Sequence, residues 1–184
     1  MGKALSARAG SALGQASQAA AGTGENSSGV SYANISITDT FPPVPSIQGT
    51  FDGYKTNGVF TEQNYAYIAT DNNSKELVII DLTQIVGGKY IESGYFNAPD
   101  IADGKSIFVA GNIGYLTAGN KLYSIDLNSK SGSLPQLGSV TLAGTGNKVV
   151  VNGSYAFVAV NSEPTPMQIV QISNGGQTLT VVGS

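Results

Sequence analysis

The chain has 184 residues, with 9 basic and 12 acidic side chains and a net charge of −3; Arg8 is its sole arginine, so nucleic-acid binding has almost no electrostatic footprint to rest on. Charged residues make up 11% while glycine reaches 24 copies, a composition that suits strands joined by turns rather than long salt-bridged helices. Histidine and cysteine are absent, which removes disulfides, Ser-His-Asp and Cys-His relays and conventional zinc or copper sites, so the chain is expected not to be an enzyme, with no catalytic, cofactor-binding or metal-ligating residue.

No run of 18 apolar residues occurs, so no membrane span is expected, and MGKALSARAG at the start lacks the apolar core of a signal peptide. Either the protein is soluble in its own compartment or an export segment has been cut away, Met1-Gly2 then being a cloning scar.

Residues 4–21 are Ala-rich, and Leu5, Ala9, Ala12, Ala16 and Ala20 recur at steps of three and four. That is one stripe of a short N-terminal helix. Gly10 and Gly14 each cost about 1 kcal/mol against alanine, so the segment reads either as a docked helical tail or as an assembly face with small-xxx-small spacing. Residues 22–46 form a linker: GTGENSSGV has no periodicity, SYANISITDT alternates as a short strand around Tyr32 to Ile37, and FPPVP holds an extended path.

From about residue 47 the chain repeats itself. YAYIAT (from Tyr65) is answered by IGYLTA (from Ile113) and YAFVAV (from Tyr155), which puts Tyr67, Tyr115 and Phe157 in one register. Each is preceded by a short apolar strand, around Val59 to Thr61, Ile107 to Val109 and Val149 to Val151, and hairpin-type turn residues such as Gly111-Asn112 and Asn152-Gly153 follow. Each is followed by a third strand (LVIIDL, LYSIDL, MQIVQI) and a looser fourth, around Tyr90 to Phe96, Leu137 to Leu142 and Leu179 to Val182. Ile79, Ser124 and Ile169 stand 45 residues apart, whereas the steps from Tyr67 to Tyr115 and Phe157 are 48 and 42 because the hairpin loops differ. A period of about 45 residues with four short strands is that of a propeller blade. The expected fold is therefore all-β, about three four-stranded antiparallel blades over residues 47–184, with Ile47 to Phe51 as an orphan fourth strand ahead of the first.

Leu77-Val78-Ile79-Ile80-Asp81-Leu82, preceded by Tyr65-Ala66-Tyr67-Ile68-Ala69, resembles the LVIVD repeat, a propeller-type repeat of bacterial and archaeal cell-surface proteins. The second copy keeps Ile125-Asp126-Leu127, and the third departs with Gln171 in place of the aspartate. The resemblance implies an extracellular or cell-surface location. More faintly, ALSARAGSALGQASQAA is similar to the soluble half of the long helix of type IV pilins and pseudopilins. That likeness implies a helical stem displaying an outward β domain; the leader and apolar first half of such stems are absent from these residues.

Asp81 and Asp126 recur at equal positions. They close the turn after their strands by accepting backbone N–H bonds, or else contact a metal or ligand. Asp71-Asn72-Asn73-Ser74-Lys75-Glu76 has oxygen ligands at alternate positions, but it lacks the spacing of a calcium loop and reads as a solvated hairpin tip. Asp100 and Asp103 are a carboxylate pair of the kind glycoside hydrolysis uses, set in an ordinary turn. Tyr90, Tyr95, Tyr115 and Tyr123 either pack across strands or present a contact surface.

These features lead to a non-catalytic surface interaction or structural module whose partners are other protein subunits or surface ligands, with a homo-oligomer or filament among the options. The rival is a fragment of a larger ligand-binding or enzymatic propeller. Three blades leave an open side. The strand from Leu179 to Val182 is accordingly expected to pair with Tyr32 to Ile37 or to lie at a subunit contact.

Overall fold

The structure, a computed structural model, describes residues 46–184. The N-terminal helix, its pilin-like stem and the strand from Tyr32 to Ile37 lie outside the described residues.

Among the described residues, thirteen strands form three sheets. The first contains β1 (Thr56–Glu62), β2 (Tyr65–Thr70), β3 (Leu77–Val86) and β4 (Lys89–Phe96). The second contains β5 (Gly104–Ala110), β6 (Ile113–Ala118) and β7 (Lys121–Asp126); the two-residue β8 (Gly132–Ser133) intervenes before its outer strand, β9 (Gln136–Thr141). The third contains β10 (Thr145–Asn152), β11 (Tyr155–Asn161), β12 (Met167–Ser173) and β13 (Thr178–Gly183). Within each sheet the four strands meander antiparallel in chain order. This is the expected all-β, blade-like plan.

The expected register holds in every copy. Tyr67 stands between Phe60 and Ile79, Tyr115 between Phe108 and Ser124, and Phe157 between Val150 and Ile169. The first hairpin of each sheet turns through a left-handed residue, Gln63, Gly111 or Gly153, at φ 53°, 60° and 57°. In the third copy the turn is Gly153-Ser154, one residue later than the expected Asn152-Gly153. A backbone N–H of the third strand, or in the second copy of the residue after it, then bonds back to that turn: Leu82 to Asn64 O, Leu127 to Asn112 O and Ile172 to Ser154 O, at 2.8–2.9 Å.

Two details depart from expectation. Ile47 to Phe51 is not a fourth strand: only Thr50 bridges, in parallel, to Lys89, and Ile47 is 87% exposed. The chain instead lays Phe51 and Tyr54 over the outer face of the first sheet. The first sheet also gains β8 as a fifth, parallel strand, Gly94 opposite Gly132 and Tyr95 opposite Ser133.

The cores lie between sheets. Strand alternation sends Tyr67, Ala69, Leu77 and Ile79 to one face of the first sheet. There they pack with Ile107, Val109, Leu116, Tyr123 and Ile125 of the second. Tyr115 and Leu122, on the equivalent face of the second sheet, pack with Val149, Ala156, Val158 and Val170 of the third. Each large buried side chain of this kind contributes about 1.5–3 kcal/mol from removal from water, so stacking supplies the stability that the absent disulfides cannot.

Candidate functional site

Tyr67, Tyr115 and Phe157 are equivalent in register but not in environment. Tyr67 is 1% exposed and Tyr115 3%, because a following sheet covers each, whereas Phe157 is 37% exposed. Burial holds the Tyr67 hydroxyl up at about 12, and the charge of Glu62 adds to the effect. Tyr115 is raised by burial too.

Phe157 is the middle of an apolar surface. Alternation in β10 to β12 sends Val150, Tyr155, Phe157, Met167 and Ile169 to the same side. Val150, Tyr155, Phe157 and Met167 are among the exposed large hydrophobic side chains, and Ile169 is half-buried. Val182, at a bulge opposite Ile169 and Val170, adds a further exposed aliphatic group at the outer edge. The edges differ in the same sense. Gly94 lies against Lys130 O and Gly138 against Gln177 O, so a Cβ there would sit 2.7 and 2.6 Å from backbone oxygen. Ser93 Oγ donates to Lys130 O at 2.5 Å and Ser124 Oγ to Gly176 O at 2.6 Å. Thus the loop before the last strand of one sheet laps the last strand of the sheet before it. Gly183 is the third member of this set, opposite Ile169 as Gly94 is opposite Ile79. The three atoms nearest to a Cβ placed there all belong to Ile169 of its own sheet, at 3.4–3.7 Å.

The suspected acids fall elsewhere. Asp81 Oδ1 accepts the Thr83 N–H at 2.8 Å and its hydroxyl at 2.6 Å; Asp126 Oδ1 accepts the Asn128 N–H at 2.8 Å and its side-chain amide at 2.7 Å. These are Asx turns, and the Thr83 donors hold Asp81 below the usual carboxylate range. Asp100 pairs with Lys121 at 2.7 Å and accepts the Tyr123 hydroxyl at 3.0 Å, contacts that lower its pKa. Asp103 pairs with Lys105 at 2.8 Å. Each carboxylate of this pair is held by its own lysine.

The Asp71–Glu76 loop is not a plain solvated tip. Asn72 Oδ1 is engaged by the Ser74 N–H, and Lys75 bonds Glu92 at 2.6 Å above the Tyr95 ring. Glu76 is fully buried: Oε2 accepts the Ala98 N–H at 2.7 Å, Oε1 has no partner, and burial raises its pKa. Nothing in the local pattern separates Glu76 from its exposed neighbours, because its burial depends on the chain between the first two sheets folding back over it. Of the tyrosines, Tyr115 and Tyr123 are buried, Tyr95 lies under Lys75, and Tyr90 packs with the cluster holding Phe51 and Tyr54. Among the described residues no three His, Cys, Asp or Glu side chains gather as a metal site, and no helix is long and apolar enough to cross a membrane.

The LVIVD repeat matches residues 54–83 and 143–178, that is, the first sheet through β3 and most of the third copy. The second copy, which keeps the aspartate, falls outside both matches. No curated protein matches the chain. Among solved structures, a putative 6-phosphogluconolactonase from Bacteroides fragilis NCTC 9343 superposes with a TM-score of 0.52 at 16% identity, over 65% of this chain and 35% of that one. The chain thus spans about a third of that protein's length, and the likeness is one of fold.

Proposed function

We propose that the chain is a non-catalytic interaction or structural module acting at the cell surface or outside the cell, and that the outer face of its third sheet is the surface it presents to protein partners. The observation that carries this reading is the exposure of Phe157, Val150 and Met167 on a face whose two counterparts in the same chain are buried under protein. The engagement of Asp81, Asp126, Asp100 and Asp103 in turns and ion pairs supports a scaffold role for them. The LVIVD match supports the repeat character; the surface location is inferred from the kind of protein in which such repeats occur.

A second reading, a portion of a larger ligand-binding or enzymatic propeller, is favoured by the superposition on one-third of a putative 6-phosphogluconolactonase. Two measurements separate the readings. Intact cells producing the protein are labelled with a membrane-impermeant amine reagent, and Lys89, 63% exposed, is expected to be modified. Purified protein is incubated with 6-phosphogluconolactone, and hydrolysis is expected to match the uncatalysed rate. Absence of labelling, or a turnover lost in Asp100→Asn, would overturn the proposal.

A further inference from the structure

Asparagine followed by glycine carries a built-in reaction, because the glycine backbone nitrogen can reach the asparagine side-chain carbonyl and no Cβ on the glycine obstructs the approach. The chain has three such pairs, Asn57-Gly58, Asn152-Gly153 and Asn174-Gly175, and all three asparagines are exposed. Exposure therefore does not rank them. What ranks them is how firmly the side-chain amide and the backbone beside it are held.

Asn57 is pinned. Its Nδ2 donates to Gly104 O of the second sheet at 2.9 Å, and Gly58 pairs with Ala69. A Cβ on Gly58 would lie 2.8 Å from Lys105 O, so the backbone there has no room to swing as the ring closes. Asn174 is held twice by one neighbour: Nδ2 donates to Gln177 Oε1 at 3.1 Å, and its carbonyl accepts the Gln177 N–H at 3.2 Å. Gly176, just beyond, is anchored through its carbonyl by Ser124 Oγ at 2.6 Å. Asn152 ends β10 at the tip of the β10–β11 hairpin, opposite Tyr155 on the last rung. Among the described residues nothing bonds its side-chain amide, and the Gly153 N–H has no backbone acceptor. The equivalent turns of the other two sheets lack the pair: Asn64 precedes Tyr65 and Asn112 precedes Ile113, whose side chains obstruct the same attack.

We infer that Asn152-Gly153 is a self-modification site of the folded protein, with water as the co-reactant. The Gly153 nitrogen gives its proton to hydroxide and forms a bond to Asn152 Cγ. The Cγ–Nδ2 bond breaks, and the nitrogen leaves as ammonia with a proton from water. Water then opens the cyclic imide at either carbonyl, giving aspartate or, where the Gly153 nitrogen stays bonded to Cγ, isoaspartate. Both products add a negative charge. Isoaspartate also lengthens the backbone by a methylene at the turn that sets the register of β10 on β11, beside the Ser154 carbonyl that holds the Ile172 N–H.

The test incubates the full chain at mildly alkaline pH, folded in one series and unfolded in guanidinium chloride in the other. Both are peptide-mapped by mass spectrometry, with aspartate and isoaspartate separated by chromatography. In the folded protein Asn152 is expected to convert about tenfold faster than Asn57 and Asn174, whose reaction waits on local opening. In the unfolded protein the three rates should converge. Asn152→Ser, at an exposed turn position, should abolish the early acidic species seen by isoelectric focusing. Conversion of Asn57 or Asn174 ahead of Asn152 in the folded chain overturns the inference. So does an Asn152 that reacts only when unfolded, or a ranking that is unchanged by unfolding.

Discussion

Tyr67 and Phe157 occupy the same site of their sheets, each between a first-strand residue and an isoleucine of the third strand, yet Tyr67 is sealed and Phe157 is 37% exposed. The strand register is shared, so the difference is what stacks on top. Truncation separates the two. Tyr67→Ala should cost about 3–5 kcal/mol, the range for emptying a buried aromatic site. Phe157→Ala, at concentrations below any self-association, should cost under about 1 kcal/mol, as surface changes do. Chemical denaturation of the two variants checks this, and equal losses would contradict the buried and open assignments.

Gly138 and Gly183 make a second matched pair. Alanine at Gly138 would place a methyl 2.6 Å from Gln177 O, so Gly138→Ala should destabilise by about 1–3 kcal/mol through overpacking. At Gly183 the nearest atom is Ile169 Cδ1 at 3.4 Å, an ordinary contact. Gly183→Ala should leave the melting temperature within error of the parent. A Gly183→Ala protein as weakened as Gly138→Ala would mean that another segment laps this edge.

Glu76 predicts an opposite-to-usual pH dependence. Its pKa is raised in the folded state, chiefly by burial and against the Ala98 N–H bond, so the protonated form is favoured on folding. The sign follows: its contribution is fully present below the ordinary glutamate pKa and is lost as pH rises through the raised one. Glu76→Gln keeps an acceptor for Ala98 without a charge to bury and should equal or exceed the parent in stability near neutral pH. The gap should close in mild acid. Glu76→Ala orphans the Ala98 N–H and should lose about 1–3 kcal/mol at either pH. Urea midpoints of the three proteins across pH decide it, and parallel curves for parent and Glu76→Gln would refute the assignment.

Asp81 and Asp126 act through one acceptor oxygen each, which asparagine retains. Asp81→Asn and Asp126→Asn should therefore melt close to the parent, and the alanine variants somewhat lower. Adding calcium or a chelator should move none of the midpoints. A calcium-dependent shift abolished in the asparagine variants would instead establish a ligand role for these carboxylates.

The repeat was legible because side chains at Tyr67, Tyr115 and Phe157 sit in a register that alternation alone imposes, and the Asx turns because Asp81 and Asp126 carry their own short-range mechanism. What escaped was set by distant contacts. Glu76 lies within a polar hexapeptide and is buried only because Ala98, 22 positions on, returns to it. Ile47 to Phe51 has strand-like residues, but the outward face of the first sheet takes Phe51 into its cover and leaves Ile47 exposed. The lap of β8 on β4 needs two residues and leaves no periodic trace. The exposure of Phe157 could not be read from YAFVAV at all, since the same pattern is buried in the other two copies.

The bonds from Leu82, Leu127 and Ile172 back to the first hairpin turn have a consequence for how such a chain can change. They latch three strands together at one end, so register is fixed there, and the β2–β3, β6–β7 and β11–β12 connections at the other end are relieved of that duty. Those connections already differ, spanning 71–76, 119–120 and 162–166. At the exposed positions of these connections, Asn73-Ser74 and 163–164, length is open to insertion by drift or by grafting, while a single residue added beside Asn64, Asn112 or Ser154 would turn every side chain of the following strand inside out.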